Sequence, residues 1–178
     1  MQDKLNRKLT DLRISVTDRC NFRCRYCMPE ELYGEAYEFL KRDQVLSFEE
    51  IIRLTKIFIN LGINKVRLTG GEPLVRKNIE KLISSISSLD NNIDLAMTTN
   101  GYLLNKFAHI LFDSGLRRLT VSLDSLDNDI FQKMSGKKFD IKDVLTGIGS
   151  AKDAGFKNIK INTVIKKGVN DKGVIDLV

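Results

Sequence analysis

Cys20, Cys24 and Cys27 fall inside eight positions with the spacing C-x-x-x-C-x-x-C, and they are all the cysteines of a 178-residue chain. Thiolates are nucleophiles and soft metal ligands. Disulfides suit this set poorly, because the count is odd and no secretion signal precedes it. A structural zinc ion wants four protein ligands, usually as two separated pairs. The single histidine, His109, stands far along the chain among Asn105, Lys106 and Asp113, on the polar side of an expected helix, and reads as surface. An iron–sulfur cluster fits better. Cubane clusters are normally held by four cysteine thiolates. Three leave one iron without a protein ligand, open to a substrate or cofactor, which makes a chemical site rather than an electron wire.

The elements around the thiols follow from pattern. Leu12, Ile14 and Val16 alternate with Arg13, Ser15 and Thr17, the period of a half-buried strand, and Asp18-Arg19-Cys20-Asn21 begins a loop. Residues 30 to 46 show no period and read as a loop. Ser47 and Glu50 form a capping box for a helix that carries Ile51, Leu54, Phe58 and Leu61 and ends at Gly62. Further strands are expected over 65–69, 93–98, 118–123 and about 159–163. Helices are expected over about 77–89, 103–114, 127–134 and 140–154, with another after Gly168-Val169-Asn170-Asp171. Segments starting at Gly62, Gly115 and Gly155 share one plan: glycine cap, apolar residue, polar pair, strand. Repeated βα units of this kind predict an α/β fold with a parallel sheet and helices outside.

Ligands of parallel α/β folds bind at the C-terminal ends of strands. Four motifs fall there. The cysteine loop follows the first strand, Gly70-Gly71-Glu72-Pro73 the second, Thr98-Thr99-Asn100-Gly101 the third and Ser122-Leu123-Asp124 the fourth. Gly70 and Gly71 lack a Cβ and let backbone approach a ligand. Glu72 offers a carboxylate to an ammonium group. Each motif also has a plainer reading as a turn or helix cap.

The string C-x-x-x-C-x-aromatic-C, with Tyr26 at the aromatic position, resembles the signature of the radical S-adenosylmethionine enzymes. Thr17-Asp18-Arg19-Cys20-Asn21-Phe22-Arg23-Cys24 through Tyr26-Cys27-Met28-Pro29 resembles, more narrowly, the MoaA-type GTP 3′,8-cyclases of molybdenum cofactor synthesis. The resemblance implies a partial TIM-like (βα)6 barrel. Residues 1–178 would be its radical S-adenosylmethionine core domain, truncated, holding about the first five strands and lacking a C-terminal second-cluster region. It implies a 4Fe-4S cluster on Cys20, Cys24 and Cys27, with S-adenosylmethionine chelating the open iron. It places the cofactor against Tyr26, Gly70, Gly71, Glu72, Ser122 and Asp124. GTP would meet Arg13, Arg67, Thr98 and Lys160. Reductive cleavage of the sulfonium would give a 5′-deoxyadenosyl radical that takes the ribose 3′ hydrogen of GTP, and the sugar radical would attack carbon 8 of guanine. A reductant such as flavodoxin or ferredoxin is implied, and a homodimer is compatible. The family's second 4Fe-4S cluster needs three more cysteines, and none follows Cys27. Two alternatives stay open: a radical maturase acting on a peptide, and a non-catalytic cluster-binding fragment.

The totals narrow the class. The chain is 42% hydrophobic and 29% charged, as one globular domain with a real core is. Its N-terminus is polar and its apolar runs fall far short of the roughly 20 residues needed to span a bilayer, so no membrane role and a cytoplasmic location are expected. The net charge of +6 suits an anionic partner. With no dense basic tract and no basic stripe interleaved with aromatics, a nucleotide is the expected anion, not a nucleic acid.

Overall fold

The computed structural model describes residues 2–177. Strand and helix alternate: β1 (Asp11–Ser15), α1 (Glu30–Tyr33), α2 (Phe48–Asn60), β2 (Lys65–Thr69), α3 (Ile79–Ser87), β3 (Asp94–Thr99), α4 (Leu104–Asp113), β4 (Arg118–Ser122), α5 (Asn128–Ser135), α6 (Ile141–Asp153) and β5 (Asn158–Asn162). The strands pair in sequence order, β1-β2-β3-β4-β5, and every pair is parallel. Crossovers between parallel strands are right-handed almost without exception, so a sheet wound in one direction collects its helices on one face. This is the winding of a barrel rather than of a doubly wound sheet. The expected five-strand partial barrel is observed.

Burial divides the two faces of the sheet. Val66, Leu68, Leu95, Met97, Leu119 and Val121 point to the helices and are buried. The core continues through Ile51 on α2, Leu82 and Ile83 on α3, Leu104 and Leu111 on α4 and Val144 on α6. The opposite face carries Asp11, Arg13 and Ser15 from β1, then Lys65, Arg67 and Thr69 from β2. Asp94, Ala96 and Thr98 follow from β3, Arg118, Thr120 and Ser122 from β4, and Asn158, Lys160 and Asn162 from β5. All but Ala96 are polar. A polar inner face gains nothing from closing on itself and is suited to water or a charged ligand.

Helix ends follow the local rules. The Ser47 hydroxyl accepts from the Glu50 N–H at 3.2 Å, and the Glu50 carboxylate accepts from the Ser47 N–H at 2.7 Å. Gly62, Gly115 and Gly155 turn the chain back to the sheet at φ of +102°, +102° and +108°, values that L side chains rarely adopt. Two expectations need correction. Residues 30–46 are not all loop: α1 forms there, its first turn bearing Glu30 and Glu31 where the helix dipole favours acids. After Asn170 no α-helix forms among the described residues, only the 3-10 turns Asp171–Gly173 and Ile175–Leu177. No helix of the described residues is long and apolar enough to cross a membrane.

Candidate active site

The cysteine loop is seated on the end of β2. The Val16 N–H donates to the Thr69 carbonyl at 2.9 Å, the Gly71 N–H to Thr17 at 2.7 Å and the Glu72 N–H to Arg19 at 2.8 Å. A Cβ on Gly70 would stand 2.4 Å from the Thr17 carbonyl oxygen, and one on Gly71 2.3 Å from that of Arg19. The two glycines therefore admit the chain's own cysteine loop. The close approach that the sequence suggested for a ligand is taken by backbone. Arg76 adds a strap: its guanidinium donates to the carbonyls of Val16 and Leu46 and lies 4.5 Å from the centre of the Phe48 ring.

Cys20 and Cys24 are half-buried and Cys27 is exposed. Burial raises the Cys20 thiol above its ordinary pKa. Burial, with Cys20 and Asp124 nearby, pushes Cys24 up to about 12. Among the described residues no three Cys, His, Asp or Glu side chains converge as the ligands of one ion do. A cubane asks for something else, since each thiolate takes a different iron. Asn21 argues that a further group belongs here. The Tyr102 N–H donates to Asn100 Oδ1 at 3.1 Å, which turns Asn100 Nδ2 onto Asn21 Oδ1 at 2.8 Å. Asn21 Nδ2 is left buried without a hydrogen-bond partner among the described residues. An unmet buried donor costs about 1–3 kcal/mol. Sulfide, thiolate or carboxylate acceptors would supply what it lacks, so the three thiols and their surroundings fit an iron–sulfur cluster with its cofactor.

Two expected cofactor contacts already have hydrogen-bond partners within the chain. Glu72 is 1% exposed. Its Oε1 accepts from the Leu74 N–H at 3.0 Å and the Thr99 hydroxyl at 2.8 Å, and its Oε2 from the Asn100 N–H at 2.7 Å. The carboxylate clasps the end of β3 to the end of β2 instead of facing an open space. Burial raises its pKa to about 7 against the pull of these three donors. Asp124 is also committed: Oδ2 accepts from the Tyr26 hydroxyl at 2.7 Å and Oδ1 from the Val164 N–H at 2.9 Å. It ties the cysteine loop to the segment after β5, and burial together with this carboxylate drives the Tyr26 pKa upward. The Ser122 side chain makes no hydrogen bond among the described residues. It lines a small cavity with Cys24, Tyr26, Asn100 and Asp124. A larger cavity of about 210 Å³ shares Tyr26 and Met134 with it and opens beside Val164 and Ile165.

The four residues expected at a nucleotide share the inner face. Arg13 pairs in register with Arg67, and Thr98 with Thr120, which pairs with Lys160. The Arg67 guanidinium reaches across two strands to the hydroxyls of Thr98 at 3.2 Å and Thr120 at 3.0 Å. The strand carboxylates of this face are both occupied, Asp11 by Lys65 at 3.4 Å and Asp94 by Arg118 at 2.7 Å. Arg13, Arg67 and Lys160 form no ion pair among the described residues. Sequence reasoning missed Thr120, although its alternation with Ser122 marks the same face. It also missed Asn21, Arg23 and Arg76, whose partners lie across the fold and leave no local signal.

Comparison with known proteins agrees with this geometry. A profile of the Radical SAM superfamily, SAM being S-adenosylmethionine, matches residues 14–178. A curated GTP 3′,8-cyclase of Staphylococcus haemolyticus is 49% identical over 178 residues, 100% of this chain and 52% of its own length. One of Acidothermus cellulolyticus is 51% identical over 177 residues, 99% of this chain and 49% of its own. The chain thus spans about half the length of the curated relatives it matches. Streptococcus suis SuiB bound to S-adenosylmethionine shares the fold with a TM-score of 0.73 at 24% identity, over 96% of this chain and 37% of that one. With three cysteines in the signature spacing on a parallel partial barrel and a family match over nearly its whole length, the chain belongs to the radical SAM superfamily.

Proposed function

We propose that the chain supplies the cofactor- and phosphate-binding part of a GTP 3′,8-cyclase, which converts GTP to 3′,8-cyclo-7,8-dihydro-GTP in the first step of molybdenum cofactor synthesis. The observation that carries this reading is the row of cations, Arg13, Arg67 and Lys160, that form no ion pair among the described residues on the inner face of the sheet. The named relatives, matched along the whole chain, support it.

Superfamily membership implies a 4Fe-4S cluster and S-adenosylmethionine. Cys20, Cys24 and Cys27 would hold the cluster. Backbone at Gly70 and Gly71, with Tyr26 and Ser122, would hold the cofactor. When bound, the pair supplies one-electron cleavage of the sulfonium and so a hydrogen-abstracting carbon radical. The chain's own residues bind and orient. Arg13 and Arg67 offer forked donors to phosphate oxygens. Thr98 and Thr120 hold Arg67 extended before substrate arrives, which lowers the ordering cost of binding. Lys160 adds a mobile point charge from β5. Glu72 and Asp124 fix the turns that frame the site. A second cluster at the guanine would need cysteines from outside this sequence. The electron would come from a small carrier such as flavodoxin or ferredoxin, and the assembly would be a homodimer.

The test is single-turnover formation of 5′-deoxyadenosine by the anaerobically reconstituted chain, with GTP, with ATP and without nucleotide, alongside calorimetric GTP binding. GTP-dependent formation and GTP binding that weakens with salt support the reading. Equal formation in all three mixtures, with no GTP binding, rejects it.

A further inference from the structure

Arg23 stands between the first two cysteines, and its side chain is 14% exposed. Its Nη1 donates to the carbonyls of Cys20 and Phe22, both at 2.8 Å, and its Nε to the carbonyl of Tyr33 at 2.8 Å. Three peptide planes separate Cys20 from Arg23, and all three are pinned. The Cys20–Asn21 plane is held at its oxygen by the guanidinium. The Asn21–Phe22 plane is held at its N–H, which donates to Cys20 Sγ at 3.4 Å. The Phe22–Arg23 plane is held at both ends, by the guanidinium at its oxygen and by the Ser135 carbonyl, 2.8 Å away, at its N–H. Just past α5, Gly136 closes over the Arg23 carbonyl so tightly that a Cβ there would stand 2.1 Å from its oxygen.

The charge is as notable as the hydrogen bonds. Among the described residues the one carboxylate within ion-pair distance of Arg23 is Glu30, 4.0 Å away, and Glu30 is engaged more closely by Lys137 at 2.8 Å. Two cations share one acid, so the charge of Arg23 is only partly neutralised. Because Arg23 is largely shielded from solvent, its field is weakly screened. A cluster gains negative charge on taking an electron, and its potential responds to nearby charge and hydrogen bonds.

We propose that Arg23 is a positioning residue for the cluster that also sets its reduction potential, holding the Cys20–Cys24 turn in shape while its charge favours the reduced state. This rests on the superfamily's cluster being held by Cys20, Cys24 and Cys27, and not on GTP as substrate. The test therefore omits nucleotide and S-adenosylmethionine, so its failure is separate from failure of the GTP reading.

The chain is reconstituted anaerobically with ferrous iron and sulfide, and iron, sulfide and the midpoint potential are measured by redox titration followed by electron paramagnetic resonance. Arg23→Met is expected to retain less iron and sulfide and to shift the midpoint to more negative values. Arg23→Lys, which keeps the charge but not the fork, is expected to lose iron while the retained cluster stays near the wild-type potential. Glu30→Gln, at an exposed position, removes the partial neutralisation and is expected to move the midpoint to less negative values. If Arg23→Met holds no cluster, Glu30→Gln decides alone: a positive shift supports the proposal and an unchanged midpoint overturns it. An unchanged midpoint in loaded Arg23→Met overturns it as well.

Discussion

Arg13 and Arg67 occupy the same register position on adjacent parallel strands, and neither meets a carboxylate within ion-pair distance among the described residues. Like charges directly opposite one another destabilise a sheet, so on the proposed reading this pair would trade stability for affinity. Arg13→Gln is expected to raise the stability of the ligand-free chain by about 0.2–1 kcal/mol. The same change should weaken GTP binding by roughly tenfold or more, the worth of a charged hydrogen bond. Denaturant midpoints and calorimetric titration read the two effects. A destabilised Arg13→Gln with unchanged GTP affinity would contradict it.

Glu72 makes stability depend on pH. Its folded-state pKa of about 7 lies above the usual carboxylate value because burial outweighs its three donors. Between the ordinary value and about 7 the folded chain binds more protons than the unfolded one. The contribution of this group is therefore fully present below the unfolded pKa and is lost as pH rises toward 7. Urea midpoints measured from pH 5 to pH 8 should show a fall that Glu72→Gln lacks. The variant should also be less stable at pH 5, because an amide NH2 would face the Asn100 N–H donor.

Gly71→Ala is expected to unseat the cysteine loop. The new methyl would meet the Arg19 carbonyl, which is backbone and cannot swing aside. Overpacking of this kind costs typically about 1–3 kcal/mol. The variant should keep its far-ultraviolet circular dichroism and bind less iron and sulfide after reconstitution. Gly149→Ala, where an added Cβ meets nothing within 4 Å, serves as the control.

Cluster loading should release protons and improve with pH. Burial keeps the Cys20 and Cys24 thiols protonated at neutral pH, and thiols must deprotonate to bind metal. Iron uptake at fixed free ferrous iron and sulfide should rise between pH 6.5 and 8.5, with acid released into weakly buffered solution. A pH-independent uptake would place the thiolates outside the burial seen here.

Much of this was readable in the chain, for a physical reason. Strand faces obey a period of two, so Arg13 and Arg67 could be assigned to one side from Leu12, Ile14, Val66 and Leu68 on the other. Glycine caps and the Ser47–Glu50 box are local, and they appeared where the pattern put them. Glu72 and Asp124 were legible as polar residues at strand ends but not as clasps, since, Leu74 apart, their partners stand 27 or more residues away. Arg23 sits inside the cysteine motif, yet its grip on Tyr33 depends on α1, a four-residue helix with no period to announce it.

The two ion pairs at the N-terminal end of the inner face have a consequence for how deep a ligand can travel. Asp11 with Lys65 and Asp94 with Arg118 balance their charges at the first residues of β1 to β4, while Arg13, Arg67 and Lys160 form no ion pair among the described residues. On the proposed reading, a polyanion on this surface would be drawn to the unpaired cations and hardly at all to the paired ones. Its resting place would then be set by where the attraction fades, without any side chain having to block the way.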